Sequence, residues 1–491
     1  MKASTMTYGD VQVAPYELVH LLTLKVVKTV NEHARLIFTG IIPEEKRDSY
    51  VNQTNSNTHV KVMLTDKSGK PKVWFQGIVL NVRVQSIRGI YHLAVEAVSH
   101  TYALDVKKRK RSFQNPSMSY NGLVQTVISA YDKADVIDVA TNGQAIRSLV
   151  MQYEETDWQF LKRMASRFYT ALVPASGFDI PKFYVGIPLG QDKGALDAVH
   201  YTVKKRIADY RNASENRVPG IDDGDYTVYE VESRQLLELG NEVKFKSRRL
   251  VVGEAVTEMK DGILTNTYKL FPRKGLQQKK KHNNAIIGAS IQGRVIQVRN
   301  DTVRAKLDMD DQQDESTAYW FPYSTIYASE NNTGWYCMPE VNDHIRIYFP
   351  SNKEDEGIAI SSVKKEIPAL PSVKVPERSD GGGRSNKTAD SSVDRMADPA
   401  IKTLRTKYGK EIMLAPDKIV ISGNGMSITI SDDSGIDIVS NQNVSITADE
   451  DLLMSAQNIR ITAEKMELKG KENTIILEDK ILLQGEEVKM N

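Results

Sequence analysis

Three carboxylates stand close together at Glu154, Glu155 and Asp157 in the stretch QYEETDWQFLKRMASRF. Convergent carboxylates can act as general acid and base. Adjacent Glu154 and Glu155 are poorly placed to converge, however, and Asp157 at a helix start already has a role against the helix dipole. Catalysis is therefore the lesser reading. The run KKRKR at 107–111 could meet phosphate or serve as a localisation signal, but such a run is more commonly a solvated loop. The eight histidines, at 20, 33, 59, 92, 100, 200, 282 and 344, are scattered singly, and lone imidazoles do not make a metal site. Cys337 is the only cysteine, which excludes an intrachain disulfide and a Cys-based zinc cluster. It reads as a small buried hydrophobe. The residue types thus nominate no catalytic set, no metal ligands and no cofactor.

The elements that carry these residues are mostly strands. Residues 1–110 hold β-branched clusters (YELVHLLTLKVVKTV, HVKVMLTD) and the alternating run KVWFQGIVLNVRVQ. NGLVQTVISAY reads as a helix with Leu123, Val124, Val127, Ile128 and Tyr131 on one face. A second helix starts at a capping box of Thr156 and Gln159, with Trp158, Leu161, Met164, Ala165 and Phe168 as its apolar stripe. Strands then resume to about residue 271, and FPRKGLQQKKKHNN reads as an exposed linker. Residues 286–363 alternate about five short strands with polar turns, as a small closed barrel of OB type does. Residues 364–417 are rich in Pro, Gly, Ser and charge and read as a linker or neck.

At 491 residues with 40% hydrophobic and 26% charged content, two to four globular domains are expected. No apolar run is long enough to span a membrane as a helix, and the N-terminal stretch lacks the apolar core of a signal peptide. The overall charge of +2 conceals an asymmetry: net +11 over residues 1–284, −6 over 285–363 and −6 over 418–491. One end is basic and the other acidic, as in a part that meets different partners at its two ends. The acidic barrel also argues against single-strand binding, which needs a positive groove.

The last seventy-odd residues carry the clearest pattern. From Lys418 they read KIVIS, MSITIS, GIDIVS, NVSITA, DLLMSA, NIRITA, KMELKG, NTIILE, KILLQG, nine short alternating strands. Apolar residues keep one parity through Ile428, Ile430, Ile436, Ile438, Val444, Ile446, Leu452, Met454, Ile459, Ile461, Met466 and Leu468. A short internal period of this kind marks a β-solenoid. Strands so short cannot bury an inner face alone, so the segment must stack as many coils in one chain or intertwine with other copies. At ~4.7 Å per layer, nine layers make a rod of roughly 40 Å.

Three stretches resemble the VgrG and phage baseplate hub–spike family. QYEETDWQFLKRMASRF is similar to the family's hub segment through Tyr153, Glu154, Thr156, Asp157, Phe160, Leu161 and Arg163. Ser166 and Arg167 stand where that family usually has Glu. WFPYSTIY and GWYCMPEVNDHIRIYF resemble its gp5-like OB domain through Trp320, Pro322, Gly334, Trp335, Pro339, Glu340, Val341 and Asp343, with Asn342 in place of a turn glycine. The C-terminal repeat is similar to the family's needle. The resemblance covers nearly the whole chain, and the order hub, OB, needle is more specific than any one motif.

What the resemblance implies is a mainly β protein with a few helices: hub β-barrels at 1–275, an OB-fold barrel at 286–363, a neck at 364–417 and a triple-stranded intertwined β-helix at 418–491. It implies a homotrimer whose hub forms a pseudo-sixfold ring on a hexameric tube protein among baseplate proteins. Such a particle is assembled in the cytoplasm and its needle driven into the target cell envelope. The expected role is structural, not enzymatic: the 364–417 stretch is too short and too Gly/Ser/Pro-rich for the lysozyme domain some relatives carry. The ending GEEVKMN leaves Val488 and Met490 as apolar positions on which a separate PAAR-like tip protein would dock. Two rivals are a polysaccharide-active β-helix, whose long loops are missing here, and a secreted β-solenoid adhesin, whose export signal is missing.

Overall fold

The computed structural model describes residues 5–65, 69–326, 337–362, 400–406, 408–469, 471 and 474–477. The chain divides into two compact units, Met1–Leu370 and Pro371–Asn491. In the first, one antiparallel sheet runs in the order Val11–Ala14, His59–Thr65, Pro71–Ile87, Ile90–Ser99, Glu32–Ile42, His20–Thr29, Arg248–Lys260, Ile263–Phe271, Thr227–Ser233 and His200–Lys205. Glu242–Phe245 pairs with the start of Arg248–Lys260 and takes Asp192–Ala195 in parallel on its far side.

The sheet curls around two cores. One holds Leu24, Phe38, Trp74, Phe75 and Val95; the other holds Val231, Val243, Tyr268 and Leu270. The junction between them is the pairing of Lys25–Thr29 with Glu254–Glu258. Just before it, Gly253 forms a bulge, with the register slipping between Val252 and Glu254. A Cβ there would lie 2.6 Å from the Phe271 ring, so the position requires glycine.

Both expected helices are present. Tyr120–Ile128 is capped by Ser119, whose Oγ accepts from Gly122 N at 3.0 Å. Asp157–Ser166 opens on the Thr156–Gln159 capping box, with both reciprocal bonds at 3.2 Å. They share a third core with Phe113, Trp158, Phe160 and Phe183. A further helix, Ile207–Glu215, lies where strands alone were expected.

The OB barrel has five strands in the order Trp320–Pro322, Thr302–Leu307, Ser290–Arg299, His344–Tyr348, Ile358–Ser362. A bridge between Tyr323 and Ala359 brings its ends together. Its core of Val295, Val303, Phe321, Ile347 and Phe349 also takes in Leu149 and Met151 from the helix-bearing region. The segment leading into it is not the exposed linker expected from FPRKGLQQKKKHNN. Leu276, Asn283 and Ile286 are buried. Gln278 N donates to Tyr169 O at 3.0 Å, Lys281 N to Ser166 Oγ at 2.9 Å and Asn283 Nδ2 to Tyr153 O at 2.7 Å.

In the second unit, Lys402–Arg405, Glu411–Ala415, Lys418–Gly423, Met426–Ser431 and Gly435–Val439 form an antiparallel meander. Its first two strands fall inside the stretch read as a neck. Of the remaining expected strands, Met466–Lys469 pairs with Thr474–Leu477. Residues 440–464 pair with no strand of the same chain among the described residues.

Candidate functional site: a charged junction and an apolar ladder

The three carboxylates that invited an acid–base reading diverge. Glu154, at φ 53°, pairs with Lys110 at 2.7 Å. Glu155 turns the other way to Arg163, 2.8 Å from its guanidinium. Asp157 is fully buried and holds Arg111, together with Arg109 at 3.0 Å, Tyr131 Oη at 2.6 Å and Gln152 Nε2 at 2.9 Å. Burial, reinforced by the hydrogen bond to Asp157, pushes the Tyr131 phenol up to about 12. Each carboxylate is committed to its own cations, which is the arrangement of a structural lock.

The basic run is not a solvated loop. Lys108–Phe113 is a strand paired with Val150–Thr156. Arg109 and Arg111 neutralise Asp157, and Lys110 also lies 4.8 Å over the Tyr153 ring. Ser112 N donates to Asp310 Oδ1 at 2.7 Å, and Gln114 Nε2 to Ala305 O at 3.1 Å, so this strand also grips the OB barrel.

Arg163 is the centre of the junction. Its guanidinium, 3% exposed, bonds Glu354 Oε1 at 2.6 Å, Met151 O at 2.5 Å and both oxygens of Glu155. Burial pulls its pKa down, but Glu155 and Glu354 outweigh this and the net shift is upward. Glu354 Oε2 also takes Arg167 at 2.8 Å. Glu354 belongs to the barrel, in the turn SNKEDEG, and nothing local in that turn marks it as a partner. Phe160 and Leu161 are buried in the third core.

In the barrel, Arg304 stacks 4.5 Å over Trp320. Pro339 is buried, Pro322 and Val341 are exposed, and Asp343 Oδ2 accepts from Glu340 N at 2.8 Å. Asn342 has φ 81° and donates its N–H to Val295 O at 2.8 Å. Cys337 is exposed, contrary to its reading as a buried hydrophobe. Gly334 and Trp335 lie outside the described residues, as do Val488 and Met490.

The C-terminal meander aligns its apolar parity across strands. Leu404 faces Ile412, which faces Ile421, then Ile428, then Ile438; beside this row run Leu414, Ile419, Ile430 and Ile436. This apolar face is the open one. Ile428 and Ile430 are 40% and 45% exposed, while Ser427 and Thr429, which alternate with them, are less so. Beyond the sheet, Val444, Ile446, Leu452, Met454, Ile459, Ile461 and Leu468 are all exposed, and Met466 is half-buried. Among the described residues no group of three or more His, Cys, Asp or Glu is placed to hold a metal ion, and no helix is long and apolar enough to cross a membrane.

Residues 291–363 match the family described as the type VI secretion system/phage-baseplate injector OB domain. No curated protein matches the sequence. Among solved structures, the chain is similar to an E. coli component of the type VI secretion system described as structurally similar to the T4 bacteriophage tail proteins gp27 and gp5. That match has 14% identity and TM-score 0.52 and covers 72% of this chain and 99% of that one. It is also similar to a chain of the Francisella PdpA–VgrG complex in its half-lidded form, at 10% identity and TM-score 0.53, covering 88% of this chain and 87% of that one. The chain thus shares the fold of these type VI secretion and VgrG structures, and its residues 291–363 match the injector OB domain.

Proposed function

We propose that the chain is the structural spike of a contractile injection system, acting as a homotrimer. The observation that carries this reading is the apolar ladder of the second unit. Two cross-strand rows of Ile and Leu lie open on a single chain, and the same parity continues through 440–464, which pairs with no strand among the described residues. An open apolar face of this size marks an interaction surface. Three copies wound about one axis bury the ladder and pair the strands, giving a stiff rod. The hub of Met1–Leu370 then seats on a hexameric tube protein and its baseplate neighbours, and the rod leads into the target envelope. Assembly takes place in the cytoplasm, and a separate PAAR-like protein caps the end at Val488 and Met490.

The test is the native mass of the purified full-length chain together with Ile446→Asp. A mass of three chains, with a clear loss of melting temperature in the variant, supports the reading. A stable single chain with unchanged melting behaviour contradicts it.

A further inference from the structure

Beside the Arg163–Glu354 junction lies a cleft of about 540 Å³. Its walls are the loop 144–148, the end of the helix Asp157–Ser166 with the turn after it, the lead-in stretch 280–282 and the barrel turn 353–355. Six cationic side chains line it, Arg147, Arg163, Arg167, Lys280, Lys281 and Lys353, against two carboxylates, Glu354 and Asp355. Half of the cations are already matched. Arg163 and Arg167 hold Glu354, and Lys353 pairs with Glu356 at 2.7 Å.

The other three are not. Arg147, Lys280 and Lys281 form no ion pair with a carboxylate among the described residues. Lys280 lies 5.3 Å over the Tyr169 ring, a contact that leaves its charge uncompensated. The backbone beneath these side chains is anchored: Arg147 N donates to Pro116 O at 3.0 Å and Lys281 N to Ser166 Oγ at 2.9 Å. Partial burial lowers the pKa of the Lys281 ammonium, and the neighbouring Lys162 and Lys279 add to this while Glu32 opposes it. Like charges are thus crowded into a concave site without a counter-ion.

We infer that this cleft binds a short polyphosphate chain, either free or as part of a nucleoside triphosphate. A phosphate chain presents several negative charges and acceptor oxygens on all sides, which suits one arginine fork and two flexible lysines. The volume is that of a small-molecule site. An acidic peptide fits less well, because an extended peptide gains much of its affinity from main-chain bonds to a strand edge, and none of the lining segments is a strand. The walls belong to the helix-bearing region, the lead-in stretch and the barrel, so a bound anion ties all three together where the buried ion pair already joins two. The inference uses the first unit alone and is independent of the trimer reading.

The test is isothermal titration calorimetry of the full-length chain with sodium tripolyphosphate, ATP, a deca-glutamate peptide and sulfate, at matched ionic strength and without divalent cations. The expected result is saturable binding of tripolyphosphate at a single site per chain. That binding is kept in Lys193→Gln, a substitution of an exposed lysine outside the cleft. It weakens at least about tenfold in the double variant Arg147→Gln with Lys281→Gln. ATP binding as tight as tripolyphosphate assigns the nucleotide as the source of the chain, and weaker ATP binding assigns free polyphosphate; both support the site. If the double variant melts early without ligand, Lys280→Gln, at an exposed side chain, carries the same expectation. Absence of saturable tripolyphosphate binding, an equal response to sulfate, an affinity untouched by the substitutions, or a tighter complex with deca-glutamate overturns the inference.

Discussion

Arg163 of the helix Asp157–Ser166 and Glu354 of the OB barrel meet at 2.6 Å, and their side chains are only 3% and 9% exposed. The helix-bearing region and the barrel are joined by a buried ion pair, not by a flexible tether. Removing one partner of such a pair strands the other without compensation. Arg163→Met leaves half-buried Glu155 without its cation and buried Glu354 with Arg167 alone, and a loss of roughly 3–5 kcal/mol is expected in denaturant unfolding. The double variant Arg163→Met with Glu354→Leu should recover part of that loss, since it removes a buried carboxylate that has lost one of its two cations. Additive losses in the cycle would show that the two residues do not depend on each other.

Ile446 is 69% exposed on the single chain. In a solitary chain, Ile446→Asp would leave stability unchanged. In the assembled rod it places three carboxylates in an apolar interior, a cost of several kcal/mol per trimer. The expected outcome in calorimetry is a lower melting temperature that also depends more steeply on protein concentration.

Acid should destabilise the first unit through His100. Its Nδ1 lies 3.1 Å from Phe178 O and so donates, which leaves Nε2 to accept from His59 Nδ1 at 2.8 Å. Burial, with His59 alongside, holds the imidazole below its ordinary value of 6.5; the Phe178 carbonyl and Asp179 oppose this only in part. The unfolded chain therefore takes the proton first, and stability falls as pH drops below about 6.5 toward the lowered folded value. Thermal unfolding at pH 7.5 and 5.5 should show this drop, and His100→Gln should shrink it. An unchanged drop in the variant would assign the effect elsewhere.

Gly253→Ala should cost about 1–3 kcal/mol, the usual range for overpacking, because the new methyl meets the Phe271 ring and Leu276 at 2.6–2.7 Å. Equilibrium unfolding reads this directly.

What the sequence discloses is what lies within one turn or one period. The Thr156–Gln159 box is a local pattern, and the helix begins there. The period-two parity of Ile428, Ile430, Ile436 and Ile438 is likewise visible in the sequence, and the strands align it across the sheet. Long-range pairing is not visible. Glu354 lies 191 residues from Arg163, and the basic run looks like a solvated loop until Asp157, 46 residues after Arg111, is seen beside it. Ile207–Glu215 buries only Ala213, so it has no apolar stripe to announce it. The stretch before the barrel reads as a linker because its lysines are exposed, while its backbone and Asn283 bond Tyr153, Ser166 and Tyr169, contacts more than a hundred residues away in sequence.

The role proposed for this chain is the spike of an injection machine. Electron cryomicroscopy of contractile particles purified from a producing cell, with a compact tag fused after Asn491, tests it most directly. The account predicts three copies at one end of the inner tube, with the Met1–Leu370 units against the tube and the tag on the axis at the far tip. A particle whose tube end lacks the chain, or one that carries it along the sheath, would contradict the account.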